Sequence, residues 1–105
     1  MFALLIALQV SAATPQSALV PLSKPTDRIA AILRKGDGKA ESTAYKVKSV
    51  DEEYEILRVF GLKPAMQSLV TGKNKKPYDV LDATDPRTGE TFSLWFDISA
   101  VPSIF

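Results

Sequence analysis

The chain has 105 residues, 13 Lys and Arg against 12 Asp and Glu, an apolar fraction of 46%, and neither cysteine nor histidine. That describes one small domain of nearly balanced charge, and neither wholesale disorder nor a strong overall field for nucleic acid is indicated. Without Cys or His, the composition excludes disulfides, thiol nucleophiles, Ser-His and Cys-His catalysis, imidazole general bases, Cys/His zinc sites and lipid anchors carried on cysteine.

Met1 to Ala13 is uncharged and apolar and ends in small residues, with Ser11 and Ala13 placed as a cleavage site requires. It reads as a secretory signal lacking a Lys/Arg n-region, and it is too short to span a bilayer. The competing reading is an apolar strand or helix buried in the domain. Residues 14–24 contain Pro15 and Pro21 and follow no period, as expected of an extended arm or linker before a single domain over residues 25–105.

A short helix is predicted from about Thr26 to Lys35. Ile29, Ile32 and Leu33 share a stripe, Asp27 lies in the first turn, Arg34 and Lys35 in the last, and Gly36 stops it. Gly36 to Glu41 reads as a mobile loop. Thr43 to Lys48 alternates, with Thr43, Tyr45 and Val47 on one face and Lys46 and Lys48 on the other, as in a half-buried strand. Ser49 and Glu52 then form a capping-box pattern opening a second helix to about Phe60. Val50, Tyr54, Ile56, Leu57 and Phe60 are expected to face inward, and Gly61, Leu62 and Pro64 to end the helix. Ala65 to Thr71 is a candidate strand, followed by a turn from Gly72 to Pro77.

The strongest local signal is the hairpin from Tyr78 to Ile98. Asp85, Pro86 and Gly89 supply the capping side chain, the preset φ and the left-handed residue of a turn. A four-residue loop, Pro86 to Gly89, pairs Ala83 with Phe92, Leu81 with Leu94 and Asp79 with Phe96. A shorter loop would set Asp79 opposite Asp97, and like charges directly across a sheet repel. The chosen register gives a core face of Leu81, Ala83, Phe92, Leu94, Phe96 and Ile98. It leaves Val80 beside Trp95 and Tyr78 beside Asp97 as a half-exposed aromatic surface. The hairpin's Tyr-x-Val…Asp-Pro-x-Thr-Gly…Phe-x-Leu-Trp-Phe-Asp pattern resembles hairpins of small envelope modules such as PepSY domains, a likeness that carries no activity with it. The apolar tail after Ser99 could dock Ile104 and Phe105 on the core.

The predicted order is therefore α-β-α-β-β-β. The expected fold is α+β, one small mainly antiparallel sheet of about four strands with two helices packed on one face. Any parallel strand-helix-strand crossover in it would be right-handed.

Four groups of residues could carry chemistry. Asp79, Asp82, Asp85, Glu90 and Asp97 concentrate carboxylates, yet their spacing is not that of a calcium loop and strand alternation separates Asp79 from Asp82. Asp97 with Tyr78 or Asp79 could form the acid pair of a hydrolase, since glycoside hydrolysis needs no histidine. Lys46, Lys48, Lys73, Lys75 and Lys76, with Tyr45 among them, could bind single-stranded nucleic acid, although edge lysines also serve to block stray strand pairing. Trp95, projecting away from the core face, could anchor an interface with Tyr78, Val80 and Asp97. The expectation is a small exported non-enzymatic binding module, periplasmic or secreted. It would need no cofactor, metal or catalytic residue, and its partner would be a protein or small ligand rather than nucleic acid. A carboxylate hydrolase centred on Asp97 and a cytosolic nucleic-acid binder are the alternatives.

Overall fold

A computed structural model describes residues 18–102. The segment read as a signal, Met1 to Ala13, and the tail residues Ile104 and Phe105 lie outside the described residues. Helix α1 spans Asp27–Arg34 and α2 spans Val50–Phe60; the strands are β1 (Tyr45–Lys46), β2 (Lys63–Thr71), β3 (Pro77–Thr84) and β4 (Thr91–Asp97), with a 3₁₀ turn at Glu41–Thr43. The domain is α+β: two helices cover one face of a four-stranded mixed sheet ordered β1-β4-β3-β2. Strands β2, β3 and β4 form an antiparallel meander and β1 joins β4 in parallel. The β1–α2–β2 connection therefore links parallel strands at opposite edges, crossing the helix-covered face.

Local chemistry explains the element ends. The Thr26 hydroxyl accepts a bond from the Ile29 amide at 3.2 Å and caps α1. Ser49 likewise accepts from the Glu52 amide at 3.2 Å and caps α2. The Glu52 carboxylate completes the box one residue early, accepting from the Lys48 amide at 2.7 Å while it holds Arg28 of α1 at 2.8 Å. Gly61, at φ 70°, closes α2, and the Leu62 amide reaches back to the Leu57 carbonyl at 2.9 Å. These bonds satisfy helix-end groups that would otherwise be orphaned.

The hairpin turns through Pro86 to Gly89, with the Asp85 amide donating to Glu90 at 2.8 Å and Gly89 at φ 81°. The Asp85 carboxylate accepts from the Arg87 amide and guanidinium, which hold it below the usual carboxylate range. The register places Ala83, Leu81 and Asp79 opposite Phe92, Leu94 and Phe96. Leu81, Ala83, Phe92, Leu94 and Phe96 are buried beneath Ile29 and Ile32 of α1 and Ile56, Leu57, Val59 and Phe60 of α2.

Three expectations change. The alternating segment forms a strand only at Tyr45–Lys46, Thr43 belonging to the 3₁₀ turn, although Tyr45 and Val47 are buried as the pattern requires. The Gly36 to Glu41 loop is packed in place: the Gly38 amide donates to Thr43, the Gly38 carbonyl accepts from the Trp95 amide at 2.7 Å, and the Tyr45 ring occupies the space a Cβ on Gly38 would need. In α2, Val50 is exposed and Glu53 is buried in its place. Residues Ala18 to Lys24 form no regular element, as expected of an arm, and the Leu22 amide is tied to the Val59 carbonyl at 2.7 Å.

Candidate functional site

The face of the sheet opposite the helices is a grid of three rows set by strand register. Met66, Asp82 and Ser93 form one row, Ser68, Val80 and Trp95 the next, and Val70, Tyr78 and Asp97 the third. The sequence-predicted residues Tyr78, Val80, Trp95 and Asp97 are thus brought together on one face, as the hairpin register requires. Their exposure differs from expectation. Trp95 and Val80 are half-buried, but Tyr78 and Asp97 are buried, so the second pair is no part of an open aromatic surface.

The turn between β2 and β3 is what covers them. The Tyr78 hydroxyl accepts from Asn74 Nδ2 at 2.8 Å, and a Cβ on Gly72 would stand 2.5 Å from the Tyr78 ring. Glu41 fastens that turn by accepting from the Lys73 amide at 3.0 Å. The Asp97 carboxylate accepts from the Ser99 hydroxyl at 2.6 Å and the Ser99 amide at 2.9 Å, with Lys76 Nζ at 3.7 Å. Burial pushes its pKa up, but the Ser99 bonds and the charges of Lys76 and Lys46 outweigh that and hold it below the usual range. Tyr78 in turn meets the Trp95 ring edge-on, with centroids 5.8 Å apart at 68°. Tyr78 therefore packs against the indole, and Asp97 is engaged with Ser99 and Lys76 instead.

On the same face β3 and β2 add apolar side chains, interrupted on β2 by Ser68. Met66 of β2 is 63% exposed, Val70 and Val80 are half-buried, and a polar margin follows where Ser93 Oγ donates to Asp82 at 2.6 Å. Met66 and Val70 reach this face through the β2–β3 register, each diagonal to Val80 with Ser68 directly opposite it.

The other candidate groups are rearranged. Asp79 pairs with Phe96 and lies on the helix-covered face, whereas Asp97 pairs with Tyr78 on the open one, so these two carboxylates do not converge. Tyr45 is a core residue, 5.6 Å from the Phe96 ring, and cannot stack on a base between the lysines. Lys46 and Lys76 instead gather around Asp97. Among the described residues no group of three or more acids is placed to share a cation, and no described helix is long and apolar enough to cross a membrane.

One pair of acids does converge. Glu53 of α2 lies over Asp79 with 0% exposure, and neither of its carboxyl oxygens meets a protein donor. Asp79 is itself 3% exposed and accepts from Gln67 Nε2 through both oxygens, at 2.9 and 2.8 Å. Burial first, then the hydrogen bond and charge of Asp79, push the Glu53 carboxyl up to about 8. At neutral pH it carries a proton and can donate it to Asp79. Helical periodicity contained the signal, since Glu53, Ile56, Leu57 and Phe60 fall at i, i+3, i+4 and i+7. A cleft of about 630 Å³ opens elsewhere, beside the other end of β4, with Ala18 and Leu19 forming part of its wall over Leu33, Tyr45, Phe60 and Phe92.

These features define a small α+β domain in which, among the described residues, the helices lie on one face of the sheet. The chain belongs to the DUF4919 family, described as a domain of unknown function, whose profile matches residues 5–104. No curated protein and no solved structure matches the chain.

Proposed function

We propose that this chain is a small exported, non-enzymatic binding module that receives a partner protein on the open sheet face, with Trp95 as its anchor. The observation that carries this reading is a half-exposed indole, met edge-on by Tyr78, on a face that no described helix covers. A large ring fixed before binding contributes contact area with little loss of side-chain freedom. Met66, Val70 and Val80 extend the apolar contact, and the polar margin at Asp82 and Ser93 supplies hydrogen bonds at its rim. The apolar segment Met1 to Ala13 supports export.

Trp95 is the sole tryptophan, so its fluorescence reports on this face alone. Partners captured from envelope extract by the wild-type chain are purified and titrated against it. The expected result is a shift of indole emission on binding and at least a tenfold loss of affinity in Trp95→Ala and Val80→Asp. Equal capture by Trp95→Ala retires the site. Turnover of a glycan or phosphoester panel by the wild type, abolished in Asp97→Asn, would favour the hydrolase instead.

A further inference from the structure

The two edges of the sheet are finished differently. At the β4 edge, β1 pairs with Phe96 and Asp97, and the Gly38 carbonyl takes the Trp95 amide. At the other edge stands β2, the longest strand at 9 residues, with nothing beyond it among the described residues. The bond from the Gly72 amide to the Lys76 carbonyl sets the alternation of the β2–β3 ladder. In that alternation the even-numbered residues of β2 bond to β3, and Gln67, Leu69 and Thr71 turn their amides and carbonyls to the open edge.

Natural sheets guard such edges with charge, proline or bulges. The first part of β2 has all three, in Lys63, Pro64 and the register shift between Pro64 and Met66. From Gln67 to Thr71 it has none. Leu69 in that stretch is 68% exposed, although it shares the face of Asp79 that the helices cover. It lies outside the footprint of the described helices, an exposed apolar side chain in the middle of this edge stretch.

We infer that β2 pairs antiparallel with β2 of a second copy of this chain, about a two-fold axis at Leu69. This register sets Leu69 against Leu69 of the other copy and Gln67 against Thr71, each pair exchanging both edge bonds. The uncharged stretch suits a neutral strand and offers a charged peptide no complement, and the symmetric pairing ends before Lys63 at the start of β2 and Lys73 in the turn after it. The two copies of Leu69 cover one another. A contact this short falls well below the size of stable interfaces and gives a dimer in the micromolar range or weaker. It joins two sheets into one, so that two Trp95 faces point the same way.

The full chain is followed by sedimentation equilibrium over a wide concentration range. The expected behaviour is a monomer–dimer equilibrium weakened at least tenfold by Leu69→Lys, with circular dichroism unchanged because the site is exposed. Since the chain has no cysteine, Leu69→Cys introduces a single thiol. A bonded antiparallel pair holds its Cα atoms about 5.5 Å apart, within disulfide reach. Mild oxidation should therefore link Leu69→Cys dimers faster than those of a Val50→Cys control on α2. A wild type that stays monomeric overturns the pairing, whether or not it accepts a free neutral strand peptide. So does a dimer indifferent to Leu69→Lys, or one lost instead in Trp95→Ala. Leu69→Lys leaves the indole in place, so loss of the dimer and loss of partner capture are separate results.

Discussion

Two buried carboxyl groups, one on each face of the same hairpin, end in opposite states. Asp97 on the open face is 5% exposed and Glu53 over the helix-covered face is 0% exposed. Burial raises the pKa of both. Asp97 meets a hydroxyl, an amide and lysine charges, and these hold it ionised. Glu53 meets another carboxylate and no donor, so it keeps its proton. Burial alone therefore does not decide the charge of a side chain; the donors that share the burial do. The comparison extends to the aromatic pair at the end of β4, where Phe96 is sealed in the core and Trp95 rests on a support with one side open.

The largest effect should come from separating those two rings. Phe96→Ala empties a fully buried site and is expected to cost about 3–5 kcal/mol, enough to unfold much of a small domain. Trp95→Ala, one residue away, should cost clearly less in the same urea titration. Equal costs would mean that the open face is as tightly packed as the core.

Glu53→Gln tests the protonated carboxyl. Unfolded, Glu53 titrates at its ordinary 4.5; folded, it does so at about 8. Below 4.5 both states hold the proton and nothing is lost. Between these values the folded state binds more protons, so stability falls as pH rises, and above about 8 the full loss has accrued. Thermal unfolding across this window should show that decline in the wild type and a flatter profile in Glu53→Gln. The variant's advantage above pH 8 should be on the order of a few kcal/mol. A decline of equal slope in both would mean that another group carries it.

Asp97→Asn should act in the opposite sense and more weakly. The depressed pKa of Asp97 contributes stability that is present above the ordinary carboxylate value and lost as pH falls through its folded one. The variant should be less stable by about 1–2 kcal/mol near neutrality, and the gap should close in acid. A gap that persists undiminished at low pH would assign the loss to packing rather than charge.

Much of this architecture could be read from the residues because its causes are local. Ser49, Gly61 and the Asp85-Pro86…Gly89 turn act within a few positions of themselves, and mutual repulsion of Asp79 and Asp97 settles the hairpin register. The shared face of the candidate residues was legible to the same extent: register brings Tyr78, Val80, Trp95 and Asp97 to one side of the sheet. Their exposure was not legible, because the cover over Tyr78 comes from Gly72 and Asn74 and is fastened by Glu41 across the fold. Glu53 was missed because a carboxylate on a helix is ordinarily assigned to solvent, and only the arrival of Asp79 beneath it makes a shared proton possible.

The sequence by itself determined where the helices cap, where the chain turns and which side of each hairpin residue shares a face, since those follow from dihedral preference and spacing. Only the tertiary structure decided that β1 lies beside β4, that β2 is the outermost described strand, and which acids are buried with donors and which without. Those outcomes depend on groups distant in sequence meeting in one place, where burial makes every charge depend on its neighbours.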